Sequence, residues 1–376
     1  MCLRFSVQSL PNLGLATCPK NGGNRIDPGV VIESVITGNI RAGVCADYDA
    51  TLVPTDEEKR LFYSLEEDPS GTKAPLCGLA MINGMPAGII SGNTVEYVAS
   101  RAIEPIQDFI LGSPFSQHMS NITSYALNGG YAFAFSKDGS EDMAYMSSYN
   151  VSKRMPERTA EILTRIMMEE VGKRIPDIVA GGYEPLPIRA GKTEISAFSP
   201  IFQNRAGVQF CLVGVFSEIR DQLLTSIRLR AEQEGISSFV TINPGGKHSI
   251  DGQMHTLEKR TAGQAFMEKY DLSHLIYLGD AVYTKADGSE GNDFPMVRNP
   301  NTFVFAVNDK SHPIPSGYED GKISWIGHSP DASRTFLTWL LLQKADHIFQ
   351  TQPARQSEIW DLLRYIGFCT TPANQK

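Results

Sequence analysis

Long apolar runs are missing from this sequence. None approaches the ~18 residues that a membrane-crossing helix needs, so no membrane partner is expected. Cysteine is sparse and dispersed. Cys2, Cys18, Cys45, Cys77, Cys211 and Cys369 form no C-x-x-C pair. That excludes a zinc-finger-like site and a disulfide framework, and points to reduced thiols inside a cell. Positive charge is in deficit: 34 Lys and Arg stand against 42 Asp and Glu, for a formal net charge of −8. A nucleic-acid partner is therefore not expected, because phosphate backbones attract basic surfaces. The N-terminus lacks the apolar core of a secretion signal and carries two basic residues, Arg4 and Lys20, in its first 20. A cytoplasmic protein is expected, with organellar targeting by this extension left open. Internal repeats and low-complexity tracts are also absent.

What is present is ordinary globular material: 376 residues, 41% hydrophobic and 20% charged. Such a chain has room for two domains and a core that needs no staple. Residues 1–37 are rich in Gly, Asn and Pro and read as a loose N-terminal extension. Residues 38–144 and 251–345 alternate short apolar strands with helical spacings. Strands are expected near 42–46, 87–90, 275–278 and 302–307. Helices are expected near 56–66, 94–110, 257–270 and 329–342. A strand, turn and strand fit 124–135 around Asn128-Gly129-Gly130. Between the two halves, residues 145–250 change texture. Long helices are expected near 156–171 and 217–234, with alternating segments near 192–198 and 208–216, as in an α+β unit with its own core. Residues 346–376 read as a tail with one helix near 357–366. The expected fold is α/β: a doubly wound parallel-sheet core carrying an inserted α+β cap.

Four constellations carry chemistry. Asp47-Tyr48-Asp49-Ala50-Thr51-Leu52 follows the first apolar strand. Two carboxylates two residues apart can divide the labour: one attacks phosphorus and binds a cation, the other moves a proton. Ile90-Ser91-Gly92-Asn93 follows the second strand. Its hydroxyl, placed before a helix N-terminus, suits a phosphate oxygen. Lys259 opens a helix and can neutralise phosphate or carboxylate, with Arg260 as a rival. Gly279-Asp280 and Gly291-Asn292-Asp293 supply acidic and amide oxygens for a hard cation such as Mg²⁺. Asp280 would be the direct ligand, with Asn292 and Asp293 close behind it. The intervening acids at 281–290 do not follow EF-hand spacing. Singly, these features also read as a surface loop, a helix cap and a solvated lysine. Their order, each at the end of an apolar strand, assembles one site at the C-terminal edge of a parallel sheet.

The chain resembles the haloacid-dehalogenase superfamily, in the subgroup with a type IIB cap. Within it the chain looks most like eukaryotic-type phosphomannomutases and, more distantly, sucrose-phosphate phosphatases. Residues 47–52 match the first motif, with Ala50 where the family usually has Gly. Ser91-Gly92-Asn93 falls at the second motif. Asn128-Gly129-Gly130 resembles the turn before the cap. Gly245-Gly246-Lys247-His248-Ser249-Ile250-Asp251, followed by Glu258-Lys259-Arg260, resembles the mutase stretch G-G-x-x-S-(F/I)-D and D-K-R. Gly279-Asp280 with Gly291-Asn292-Asp293 matches the fourth motif, and Ser329-Pro330-Asp331 fits the last helix. The resemblance implies a nucleophile at Asp47, an acid/base at Asp49, and phosphate contacts from Ser91, Gly92, Asn93 and Lys259. It also implies Mg²⁺ held by Asp47, the Asp49 carbonyl and Asp280. Arg189 and Arg205 sit near where mutases place sugar-phosphate-binding arginines. The expected function is phosphatase action on a phosphorylated sugar or similar small metabolite. The alternatives are hexose-phosphate mutase action, or a non-catalytic binding protein that kept the fold. A homodimer is left open.

Overall fold

The computed structural model describes residues 28–56, 61–68, 70–82, 85–180, 188–190, 193–195, 200–203, 207–211, 217–245, 249–284, 290–308 and 323–368. Its centre is a five-stranded sheet in the order Ile323–Trp325, Thr302–Ala306, His274–Gly279, Ala42–Ala46, Ala87–Ile89. Every neighbouring pair is parallel. The strand Ala42–Ala46 is buried along its whole length. Strands buried on both faces read as continuous apolar runs, which is how the sequence shows them.

Successive side chains on these strands enter two separate cores. Val44, Ala46, Ile276, Leu278 and Phe305 join one cluster, and Cys45, Leu275, Tyr277, Val304 and Ala306 join the other. The first face is covered by Pro28–Ile36, Lys73–Met81, Glu104–Leu111, Ser329–Thr351 and Gln356–Tyr365; Lys259–Tyr270 lies on the second. The core is therefore a doubly wound α/β sheet, as expected. From Ala42–Ala46 the chain first moves to Ala87–Ile89 on one side, then returns to His274–Gly279 on the other. The order reverses between Ala42–Ala46 and His274–Gly279. That switch point is where such sheets open a crevice at their C-terminal edge.

Between the two halves lies an α+β unit with its own core. Four antiparallel strands run in the order Val240–Gly245, Ser249–Met254, Gly207–Cys211, Pro200–Gln203. The helices Glu157–Ala180 and Ser217–Gln233 pack on it through Leu163, Ile166, Met167, Leu223 and Ile227. Among the described residues no helix is long and apolar enough to cross a membrane.

Three local expectations fail. Residues 56–66, charged and helical in composition, do not form a helix in their described parts. Thr55–Asp56 pairs antiparallel with Leu61–Phe62 instead, a tertiary override of propensity. Residues 28–36, read as loose arm, form the helix Pro28–Ile36. Its Val31, Ile32 and Val35 are buried against the Ser329–Thr351 helix. The 156–171 helix runs on to Ala180 through Pro176, where proline normally ends a helix.

Two backbone positions shape the site. Gly88 lies so close to the neighbouring hairpin that a Cβ there would meet the Thr123 carbonyl oxygen at 1.8 Å. Ala50 has φ +55°, a left-handed conformation that costs a non-glycine residue about 1–2 kcal/mol. This accounts for glycine being the residue the family pattern leads one to expect. Ala50→Gly is expected to stabilise the protein by about 1 kcal/mol or somewhat less, since added unfolded-state freedom offsets part of the relief. A thermal-unfolding comparison checks this, and a lowered Tm would contradict it.

Candidate active site

The parallel register brings three strand ends to one edge. Asp47 follows Ala46, Asp280 follows Gly279, and Ser91 lies two residues past Ile89. The Asp47 N–H donates to the Leu278 carbonyl at 2.8 Å, which extends the sheet by one residue and fixes the backbone at Asp47. Asp47 is 6% exposed. Lys259, the first residue of Lys259–Tyr270, is fully buried. Its ammonium lies 2.7 Å from Asp47 Oδ1 and 2.7 Å from Asp293 Oδ1. Asp293 is held in turn by the Tyr277 hydroxyl at 2.6 Å and the Ala281 N–H at 2.9 Å. The Asp280 backbone carbonyl accepts from the Asn308 amide, which is itself oriented by Trp325 Nε1 at 3.0 Å. Thr51 Oγ1 lies 3.5 Å from Asp280 Oδ1.

Asp47, Asp280 and Asp293 each offer an oxygen, all within 4.8 Å of one another. Three carboxylates against one ammonium leave two negative charges, the charge of one divalent cation. The donors are all oxygen, which suits Mg²⁺. On charge, donor type and spacing the residues fit that ion.

Electrostatics agree. Burial, with Asp293 and Asp280 close by, pushes the Asp47 carboxyl well above its ordinary value despite Lys259. Burial and Asp293 push Asp280 up to about 7. Burial alone would lower Lys259, but Asp293 and Asp47 more than reverse this and keep it charged. In the metal-free fold, Asp47 and Asp280 hold their protons more tightly than in the unfolded chain, where a carboxyl releases its proton at about pH 4. The stability linked to Asp280 is therefore present at low pH and lost as pH rises through about 7, and that linked to Asp47 falls in the same direction. Mg²⁺ competes with those protons. The rise in Tm on adding Mg²⁺ to chelator-treated protein is thus expected to be larger at pH 8 than at pH 5.5. An equal rise at both would contradict the assignment.

Beside this cluster, Asp49 accepts from the Asn93 amide and from the Tyr97 hydroxyl at 3.1 Å. Burial raises its carboxyl, and the two hydrogen bonds oppose the rise. Ser91 is 1% exposed, and its Oγ accepts from the Asn93 N–H at 3.1 Å. It is not the cap of the following helix: Thr94 is, accepting from the Tyr97 N–H at 3.1 Å. Gly92 packs against the Asn128 side chain, which would lie 3.0 Å from a Cβ there.

The structure thus brings together Asp47, Asp49, Ser91, Gly92, Asn93, Lys259, Asp280 and Asp293. The Asn93 amide, assigned from sequence to phosphate, lies on Asp49 instead. Asn292 is exposed beside buried Asp293. Arg189 lies on the strand Ile188–Ala190, opposite Glu194 on a separate two-stranded ladder. Arg205 lies outside the described residues. Sequence reasoning missed Tyr97, Tyr277 and Asn308. Only Tyr97 had a signal, standing in the first turn of the helix that follows Asn93.

No protein-family model matches the chain, and no curated protein matches it. Among solved structures it is similar to N-terminally truncated IMP-nucleotidase of Plasmodium falciparum. The identity is 13% and the TM-score 0.49, over 82% of this chain and 72% of that one. It is also similar to trehalose-6-phosphate phosphatase of Aspergillus fumigatus, at 13% identity and TM-score 0.49, over 85% of this chain and 99% of that one. At that distance the likeness is general, and the functional reading rests on the site itself.

Proposed function

We propose that this chain is a phosphoryl-transfer enzyme of the haloacid-dehalogenase type: a Mg²⁺-dependent phosphatase acting on a phosphorylated sugar or similar small metabolite. One observation carries it. Asp47, Asp280 and Asp293 converge on a shared point at the C-terminal edge of a parallel sheet, with a buried lysine between Asp47 and Asp293.

Asp47 attacks phosphorus in line, and the P–O ester bond breaks as the acyl phosphate forms. Asp49 gives a proton to the departing oxygen, then takes one from the water that hydrolyses the aspartyl phosphate. Lys259 holds Asp47 in its attacking orientation, and Asp293, itself held by the Tyr277 hydroxyl and the Ala281 N–H, holds Lys259 in place. The Ser91 hydroxyl and the Gly92 backbone suit the phosphoryl oxygens. Asp47 and Asp280, with the Asp49 carbonyl, would hold Mg²⁺, which would supply neutralisation of the charge on those oxygens. The inserted α+β unit suits the role of a cap that selects substrate and excludes water.

The test is phosphate release from a panel of phosphorylated metabolites, with Mg²⁺ and with a chelator. Metal-dependent release from one class of ester is the expected result. Interconversion of hexose 1- and 6-phosphates without net release would make the chain a mutase. No turnover across the panel would leave a binding protein that kept the fold.

A further inference from the structure

Asp49 is held from outside the metal cluster, and its holders form a continuous set of contacts. Asn93, just before the Thr94 cap, and Tyr97, inside the helix that follows, donate to different oxygens of the same carboxylate, Oδ2 and Oδ1. Tyr97 is 7% exposed. Its ring meets the ring of Tyr48 edge-on, at 5.9 Å and 87°. Tyr48, the residue between Asp47 and Asp49, is fully buried. Its hydroxyl donates to the Arg101 carbonyl at 2.9 Å and lies 3.2 Å from the Tyr63 carbonyl.

The Arg101 carbonyl can take that bond because the residue four positions on, Pro105, has no N–H to donate to it. The helix after Asn93 passes through one π-helical stretch, Ala99–Ile103, before resuming as Glu104–Leu111. A π turn displaces carbonyls from their usual partners, and such turns often mark functional places. Here the Arg101 carbonyl accepts from both Tyr48 and the Leu65 N–H, the latter at 2.9 Å. The loop carrying Asp47 and Asp49, the segment after the Thr55–Phe62 hairpin, and the helix carrying Tyr97 are thereby tied around one carboxylate.

We infer that Tyr97 is a positioning residue that sets the orientation of the Asp49 carboxyl for proton transfer to the departing alcohol. The inference rests on the role proposed above for Asp49. Its geometry requires the hydroxyl rather than the ring: the ring packs on Tyr48, and the oxygen alone reaches Asp49.

Tyr97→Phe keeps the ring and removes that oxygen. Two esters then separate positioning from damage. An alkyl phosphate, the best the panel finds, has a leaving group that must be protonated as it departs. p-Nitrophenyl phosphate has one that leaves without a proton. The quantity to compare is kcat/KM, which covers steps up to departure of the leaving group. Tyr97→Phe is expected to lower kcat/KM on the alkyl ester by about tenfold or more, a fraction of what general acid catalysis supplies. The loss on p-nitrophenyl phosphate is expected to be much smaller. Asp49→Asn sets the upper limit of this leaving-group preference. Asn93→Ser, which removes the other donor, shows the same sign if Tyr97→Phe folds poorly.

Equal losses on both esters, or an unchanged alkyl ester, would overturn the inference. Asp47→Asn run alongside separates it from the parent reading. If that variant keeps activity, or the native protein turns over neither ester, the parent reading fails and this inference with it. If Asp47→Asn is inactive and Tyr97→Phe shows no preference, only the role of Tyr97 fails.

Discussion

Asp47→Asn should lose at least about 10⁴-fold in phosphate release, a loss typical of removing the nucleophile from a covalent mechanism. At about 1.4 kcal/mol per factor of ten, that is roughly 5–6 kcal/mol of transition-state stabilisation. The fold should survive. Asparagine has the same shape, and Lys259 keeps Asp293 at 2.7 Å as a full ionic partner. The substitution also removes one of three crowded acids, so the metal-free protein gains relief from the repulsion that raises Asp47 and Asp280. Loss of turnover with unchanged or raised metal-free Tm is the expected pair of results. Acid quenching with a labelled substrate should trap label on the native chain and none on the variant. Retained turnover or retained label would show that Asp47 is not the phosphorylated group.

The parts of this site that sequence revealed are those that lie where apolar strands end. Asp47, Ser91 and Asp280 were legible because strand, polar residue and helix follow one another along the chain, and a parallel sheet forces such ends to one edge. The Ala50 departure was legible too, and the left-handed φ of +55° explains why the pattern favours glycine at that position. What stayed hidden depends on partners far away in sequence. Sequence placed Asp293 beside the cation without revealing its complete burial, which Lys259, 34 residues earlier, and Tyr277 make possible by donating to it. Asn93 looks like a phosphate contact by position, yet its amide turns to Asp49, 44 residues away. Composition misled outright at 56–66, where charge suggests a helix and the described ends pair as strands.

Lys259→Met tests the electrostatic centre of the site by removing its only described ammonium while keeping the length and bulk of the side chain. Lys259 is fully buried and bridges Asp47 and Asp293, so the substitution leaves carboxylates facing one another with little water to screen them. Removing one partner of a buried ion pair typically costs about 3–5 kcal/mol, chiefly because the remaining charge is uncompensated. The sign of the pH dependence separates this cause from lost packing. Asp47 and Asp280 already titrate above the ordinary carboxylate range with the lysine present. Without it they take up protons at still higher pH, and protonation removes the repulsion. Urea unfolding of the metal-free variant should therefore show most of the loss at pH 8 and much less at pH 5.5. Mg²⁺ should recover part of the deficit at pH 8, since a divalent cation can replace the missing positive charge. Adding Asp293→Asn should recover part of it without metal, because the pair then carries one charge fewer; a double-mutant cycle isolates that coupling. A deficit that is the same at both pH values and untouched by Mg²⁺ or Asp293→Asn would mean that Lys259 serves the core as a packed side chain. Asp47 would then have lost its nearest buried cation, and the case for phosphoryl transfer at this sheet edge would lose its electrostatic basis.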